Sequence, residues 1–162
     1  MWFGCDLSRY YPEYVTINRG VCGDTTLGPE NRLKVSVYDP IPNVAVVLIG
    51  GNNLGTMLEN YGGMIIGIEE NRPGTDIVIC SMTPMGMDWE HKDHIEAYNS
   101  VFLKKLAMKH DCAFVDLYMP LFDENTGGIH AEYTMDGEYL THDGYLVLTG
   151  AVKERLSGSI HH

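Results

Sequence analysis

Four short runs of apolar and β-branched residues punctuate the chain: Val15-Thr16-Ile17, Val44-Ala45-Val46-Val47-Leu48-Ile49, Asp76-Ile77-Val78-Ile79-Cys80 and Ala113-Phe114-Val115-Asp116-Leu117. Each predicts a strand, and the second and third are so nearly continuous in apolar character that they predict parallel strands covered on both faces. Between them the period lengthens. Thr56 to Asn71 places Met57, Tyr61, Met64, Ile65 and Ile68 on one helical stripe and ends at Pro73-Gly74. Gly62, Gly63 and Gly67 inside it each cost up to ~1 kcal/mol against Ala. Asp88 to His110 predicts a second helix, with Asp88 as cap, Ile95, Tyr98, Phe102 and Leu106 along one face, and Lys104, Lys105, Lys109 and His110 at the negative end. A last helix is expected to start after Asp143 as N-cap and to bury Tyr145, Leu148, Val152 and Leu156. Strands alternating with helices imply a parallel sheet between helical layers. With no repeat and no linker, the pattern reads as one α/β domain over residues 1–158 with a short tail, 159–162. Ligands of such a sheet bind at the carboxyl ends of its strands.

Composition narrows the class. The 162 residues are 44% hydrophobic and 20% charged, enough to bury a core without staples. No apolar run approaches the ~20 residues of a membrane helix. The opening Met1-Trp2-Phe3-Gly4-Cys5-Asp6 lacks the basic start of a signal peptide, so a soluble, cytoplasmic protein is expected. A net charge of −11, with 11 Lys and Arg in all, argues against nucleic acid and, less strongly, against anionic membranes as partners. Four cysteines (Cys5, Cys22, Cys80 and Cys112) form no CxxC pair. Cys80 and Cys112 lie in or beside apolar runs and read as buried reduced thiols. The histidines of the tail are set aside as terminal.

The chemistry-bearing residues gather where the strands are expected to end. Asn18-Arg19-Gly20-Val21-Cys22-Gly23-Asp24-Thr25-Thr26 follows the first run and Gly50-Gly51-Asn52-Asn53-Leu54 the second. Tyr133-Thr134-Met135-Asp136-Gly137-Glu138-Tyr139-Leu140-Thr141-His142-Asp143-Gly144-Tyr145 stands near the C-terminus. A backbone N–H at Gly23 and the side-chain amide of Asn52 are the donors an oxyanion hole requires. Glycines in such loops also serve simply to make tight turns, and each loop taken alone admits both readings.

Taken together and in this order, the three segments resemble the SGNH hydrolases, also called the GDSL family of esterases and acylhydrolases. The family's second block reads like Asn-Arg-Gly-Ile-Ser-Gly-Asp-Thr-Thr, and its last glycine, here Gly23, gives an oxyanion N–H. Its third block, Gly-x-Asn-Asp, contributes an Asn side chain, here Asn52, with Asn53 in place of Asp. Its fifth block, Asp-Gly-x-His-Leu, carries the acid and base of the triad, and here it reads Asp136-Gly137-Glu138-Tyr139-Leu140. The resemblance spans nearly the whole chain from Gly4. It implies a three-layer α/β/α fold with a flavodoxin-like parallel sheet, a carboxylic-ester or acylated small-molecule substrate, and no metal or organic cofactor.

The same alignment marks two departures. Tyr139 occupies the base position, where a phenol titrating near 10 is a poor proton acceptor at neutral pH. His142, three residues on, is the fallback base, although beside Asp143 at a helix start it reads more simply as solvated. The family's first block, Gly-Asp-Ser-Ile-Thr-x-Gly, aligns its tail with Met1-Trp2-Phe3-Gly4, which sets the nucleophile just before Met1 and its strand upstream. Ser8 and Cys5 are the remaining candidates for that role, both past the turn. His91 and His94 share a helix face without a third ligand and read as surface residues rather than a metal pair. Two readings stand: an ester hydrolase whose start lies upstream, impaired as this chain, or a pseudoenzyme that binds an acylated ligand or plays a structural part. Without the first strand, the Val15 and Val44 runs would face a gap or pair directly, which predicts a homo-oligomer. Thr83 to Trp89 is expected at the pocket mouth with Met85, Met87 and Trp89 as apolar lining, a core role being equally open.

Overall fold

A computed structural model describes residues 5–89 and 92–159, and only the backbone of 92, 93, 100 and 159. The Met1–Gly4 block, His91 and residues 160–162 of the tail lie outside the described residues. The chain falls into two compact units. One comprises the described residues of Met1–Cys22, Thr83–Glu96 and Val115–His162; the other comprises Gly23–Met82 and Ala97–Phe114.

A sheet has the order β1-β2-β3, built from Val44–Val47, Asp76–Cys80 and Ala113–Val115, all but Val115 in the second of these units. Strands β1 and β2 run parallel, with Val44 opposite Asp76 and Val47 opposite Ile79. Ile77 through Cys80 are buried, as their unbroken apolar run requires, whereas every residue of β1 is half-buried, as befits a strand with one neighbour among the described residues. Strands β1 and β3 stop short of their predicted ends at Ile49 and Leu117. The short helix α1 (Leu27–Asn31) precedes β1, and between β1 and β2 comes α2 (Met57–Asn71), which buries Met57, Tyr61, Met64, Ile65 and Ile68. That is the stripe expected from the sequence. One of its glycines has a packing reason: a Cβ on Gly67 would lie 2.8 Å from both Leu33 Cδ1 and the Tyr38 hydroxyl. Tyr38 uses that approach to donate a 2.9 Å hydrogen bond to the Gly67 carbonyl.

The helix predicted from Asp88 differs in detail. Asp88 lies in a turn, and the helix described from Lys92 runs as α3 (Lys92–Ala97), a π-helical stretch (Tyr98–Leu103) and α4 (Lys104–Lys109). The wider turn rotates the buried stripe onto Ile95, Asn99, Leu103 and Ala107, leaving Phe102 exposed. Asn99 is a buried amide. Its Oδ1 accepts from Met82 N at 2.7 Å and its Nδ2 donates to Met82 O at 2.8 Å, which satisfies the backbone just beyond β2.

In the first unit, Val15-Thr16-Ile17 is not a strand. Val15 is fully exposed and Ile17 half-exposed, because a β-branched triplet forms no strand without a partner edge. A hairpin absent from the sequence reading joins β4 (Phe122–Asp123) to β5 (Gly128–Ile129), antiparallel, around an Asp-Glu-Asn-Thr-Gly turn. Helix α5 (His142–Ser159) starts two residues before the position expected if Asp143 were its cap. Thr141 caps it instead: its Oγ1 accepts from Gly144 N at 3.2 Å. Leu148, Val152 and Leu156 are buried on α5, and Tyr145 is half-buried. Among the described residues no helix is long and apolar enough to cross a membrane, and all four cysteines are free thiols.

Candidate active site

In the first unit the segment before α5 is a tightly bonded turn. Asp136 Oδ1 accepts from the N–H groups of Glu138 (3.0 Å) and Tyr139 (2.8 Å), and Met135 N donates to the Tyr139 carbonyl at 2.8 Å. Those two amides hold the Asp136 carboxyl below its usual range, the Tyr139 N–H first. Gly137, at φ +91°, packs backbone to backbone on Gly86: a Cβ on Gly86 would sit 2.8 Å from Gly137 Cα, and Gly86 N donates to Gly137 O at 2.8 Å. A side chain on either glycine would pry the turn away. Asp136 is therefore a fixed anion at the head of its loop, and its described partners all belong to its own turn.

Tyr139 turns its hydroxyl to Cys22 Sγ at 3.0 Å. The hydrogen bond to Cys22, followed by the charges of Cys22 and Glu138, pushes the phenol up to about 12. It keeps its proton at neutral pH. His142, the first residue of α5, is not merely solvated: its Nδ1 lies 3.0 Å from the Tyr10 hydroxyl, with the ring centroids 5.6 Å apart. The Tyr10 ring also meets that of Tyr145, with centroids likewise 5.6 Å apart. Tyr10, His142, Tyr145, Arg9 and Cys5 share the wall of an open cleft of about 320 Å³. Burial, followed by the Asp6 charge, raises the Cys5 thiol, which disfavours the thiolate. Ser8 Oγ donates to Asp6 Oδ1 at 2.7 Å in a short exposed turn. Met85 is core, Met87 is exposed and Trp89 half-buried, so the three do not form one apolar lining.

In the second unit the two glycine loops meet. Gly23 is exposed at φ +68°, and its N–H has no described partner. Asn52 donates from Nδ2 to the Asp24 carbonyl at 2.9 Å, which ties the loop bearing Gly23 to the turn after β1. Asn53 works inward: its Oδ1 accepts from Thr26 N at 3.2 Å, and its Nδ2 donates to Thr26 Oγ1 (2.9 Å) and Thr56 Oγ1 (3.2 Å). Asp24 is paired with Arg32 at 2.5 Å. Asn52 and the Gly23 N–H thus remain open to solvent while Asn53 clamps the loop. Chemically, this unit presents hydrogen-bond donors to an anionic oxygen.

Among the described residues no cluster of His, Cys, Asp and Glu could hold a metal, and His94 is exposed. Sequence reasoning missed Tyr10 and the Cys22–Tyr139 contact. A hint existed for Cys22, which occupies the serine position of the resembled second block; for Tyr10, inside a Tyr-Tyr pair, nothing local distinguished it.

Residues 1–147 match the GDSL-like lipase/acylhydrolase family. Among solved structures, a protein from Streptococcus pneumonia proposed to be a platelet activating factor is 26% identical, with a TM-score of 0.82 over 93% of this chain and 77% of that one. A GDSL-like lipase from Bacteroides thetaiotaomicron is 19% identical, with a TM-score of 0.83 over 94% of this chain and 80% of its own. The acetyl xylan esterase AlAXEase is 18% identical, with a TM-score of 0.75 over 93% and 86%. The last two likenesses speak to the fold alone. No curated protein sequence is significantly similar.

Proposed function

The chain belongs to the GDSL-like lipase/acylhydrolase family, and on that premise we propose that it is a carboxylic-ester hydrolase domain in which His142, not Tyr139, takes the proton. The observation that carries this reading is the pair of open donors in the second unit, the Gly23 N–H and the Asn52 amide tethered to Asp24. They stabilise the oxyanion as the ester carbonyl becomes tetrahedral. Tyr139 is a poor base because its phenol holds its proton up to about 12. His142 accepts the nucleophile's proton and returns it to the leaving alkoxide. Asp136 keeps the position of the family's acid. Neither Ser8, tied to Asp6, nor Cys5, its thiol raised by burial, is an activated nucleophile. The reading assigns that role to the serine of the family's first block, which the alignment puts just before Met1. Hydrolysis of 4-nitrophenyl acetate is the test, comparing this chain with one preceded by a Gly-Asp-Ser strand. Turnover in the extended chain that vanishes on His142→Gln is expected; an extended chain without turnover overturns the reading.

A second reading, a non-catalytic module that holds an acylated ligand, is favoured by the protonated phenol at the base position. It requires that turnover appear only when Tyr139→His accompanies the upstream strand. The half-buried strand β1, paired on one side among the described residues, also supports self-association through its edge. Light scattering at micromolar concentration should then give more than one chain's mass, and a monomer would refute it.

A further inference from the structure

We propose that Tyr10 is the positioning residue of His142. It takes over, from the segment before the Gly23 loop, the task that the acid of a triad performs for its histidine. The proposal rests on the reading of His142 as the base and extends it to a residue that no block of the family resemblance included.

The geometry is specific. Asp136 commits its Oδ1 to the N–H groups of Glu138 and Tyr139, and no described hydrogen bond links it to the imidazole. Tyr10 makes the one described hydrogen bond to that ring, 3.0 Å from its hydroxyl to Nδ1. Nε2 has no described partner, and His142 is exposed on the wall of the cleft. A general base needs its lone pair on the nitrogen that faces the proton. If Nδ1–H donates to the Tyr10 oxygen, Nε2 carries the lone pair toward the cleft. The reverse arrangement, with Tyr10 donating to Nδ1, puts a proton on Nε2 and disables the base.

The acceptor role is also the one that survives the reaction. Once Nε2 has taken a proton, Nδ1 carries one too, and only the phenol oxygen can receive it. A neutral state already bonded that way needs no reorganisation when charge develops. The ring of Tyr10 also packs against that of Tyr145, with centroids 5.6 Å apart. Burial, followed by the Cys5 charge, keeps the Tyr10 phenol above its ordinary value, so the oxygen acts as a neutral acceptor and not as a phenolate. Cys5, Asp6 and Arg9 complete the charged and titratable wall of the cleft.

The experiment is nitrogen-15 NMR of the imidazole at about pH 8.5, where an ordinary histidine is neutral. The His142 signals are assigned by their loss in His142→Gln. The expected result is a protonated Nδ1 and a bare Nε2 in the natural chain. In Tyr10→Phe, which keeps the ring packing, the signals should revert to the Nε2–H form that an unconstrained histidine favours. In the strand-extended chain, Tyr10→Phe should lower kcat about tenfold or more while KM stays within about twofold, as befits partial loss of a general base. An Nε2–H form in the natural chain, or tautomer signals unchanged by Tyr10→Phe, overturns the proposal. Signals as expected without ester turnover in the extended chain would leave the Tyr10–His142 arrangement standing and refute the hydrolase reading alone.

Discussion

Asn52 and Asn53 are adjacent amides with opposite duties. Asn53 has both ends engaged inside the protein, and the Thr26 it holds is fully buried. Removing it with Asn53→Ala leaves a buried N–H and a buried hydroxyl short of partners, a cost of about 1–3 kcal/mol. Thermal melting should fall by several degrees. Asn52 is exposed and makes one bond, to a carbonyl that water can serve equally well. Asn52→Ala should therefore leave the melting temperature nearly unchanged while lowering kcat of the strand-extended chain by ~10²-fold or more, the usual consequence of losing an oxyanion donor. A large melting loss with unchanged turnover would reassign Asn52 to the loop's scaffolding. The Gly-Gly-Asn-Asn run singles out Asn52 as the donor and leaves Asn53 only as a replacement for Asp, with no sign of its scaffolding duty. Their division of labour depends on Thr26, 27 residues away from Asn53 in the chain.

At the scale of elements, Asn99 shows where periodicity succeeds and where it stops. The spacing of apolar residues between Asp88 and His110 announces a helix, and there is one. The expected face, with Phe102 and Leu106 inward, assumes 3.6 residues per turn, whereas the π-helical stretch from Tyr98 to Leu103 shifts the stripe to every fourth residue. A polar Asn99 then falls inward, where it is needed for the Met82 backbone. Asn99→Leu fills the same space and leaves a buried N–H and C=O unpaired, which should cost about 2–5 kcal/mol and lower the urea midpoint accordingly. An unchanged midpoint would mean that the Met82 groups find other partners. Strand β2 was legible because four consecutive apolar residues, Ile77 to Cys80, agree; Val15-Thr16-Ile17 misled because β-propensity registers fit to a pleated surface that this segment lacks. The hairpin around Asp123 and Gly127 was legible in principle from its turn residues. The Tyr10–His142 bond, across 132 residues of chain, was not.

For the molecule as a whole, tyrosine protonation links the cores of both units to alkaline pH. Burial, with smaller contributions from Cys80 and Cys112, drives Tyr61 far upward from 10.0. Burial raises Tyr145 to about 12, and the Cys22 hydrogen bond raises Tyr139 to about 12. In each case the folded value lies above the unfolded one. The stabilisation is therefore complete below about pH 10 and is lost as pH climbs from 10 toward 12. Absorbance at 295 nm should show a late wave of tyrosine ionisation that coincides with loss of circular dichroism. Tyr61 allows the cause to be isolated. Its ring is fully buried and its hydroxyl has no described hydrogen-bond partner, so at neutral pH that oxygen is a liability. Tyr61→Phe should keep the packing, leave stability at pH 7 equal or raise it by about 1 kcal/mol, and remove one ionisation from the late wave. A clear loss of stability at pH 7 would show that the hydroxyl is satisfied, most simply by a trapped water, and that its burial is not the source of alkaline sensitivity.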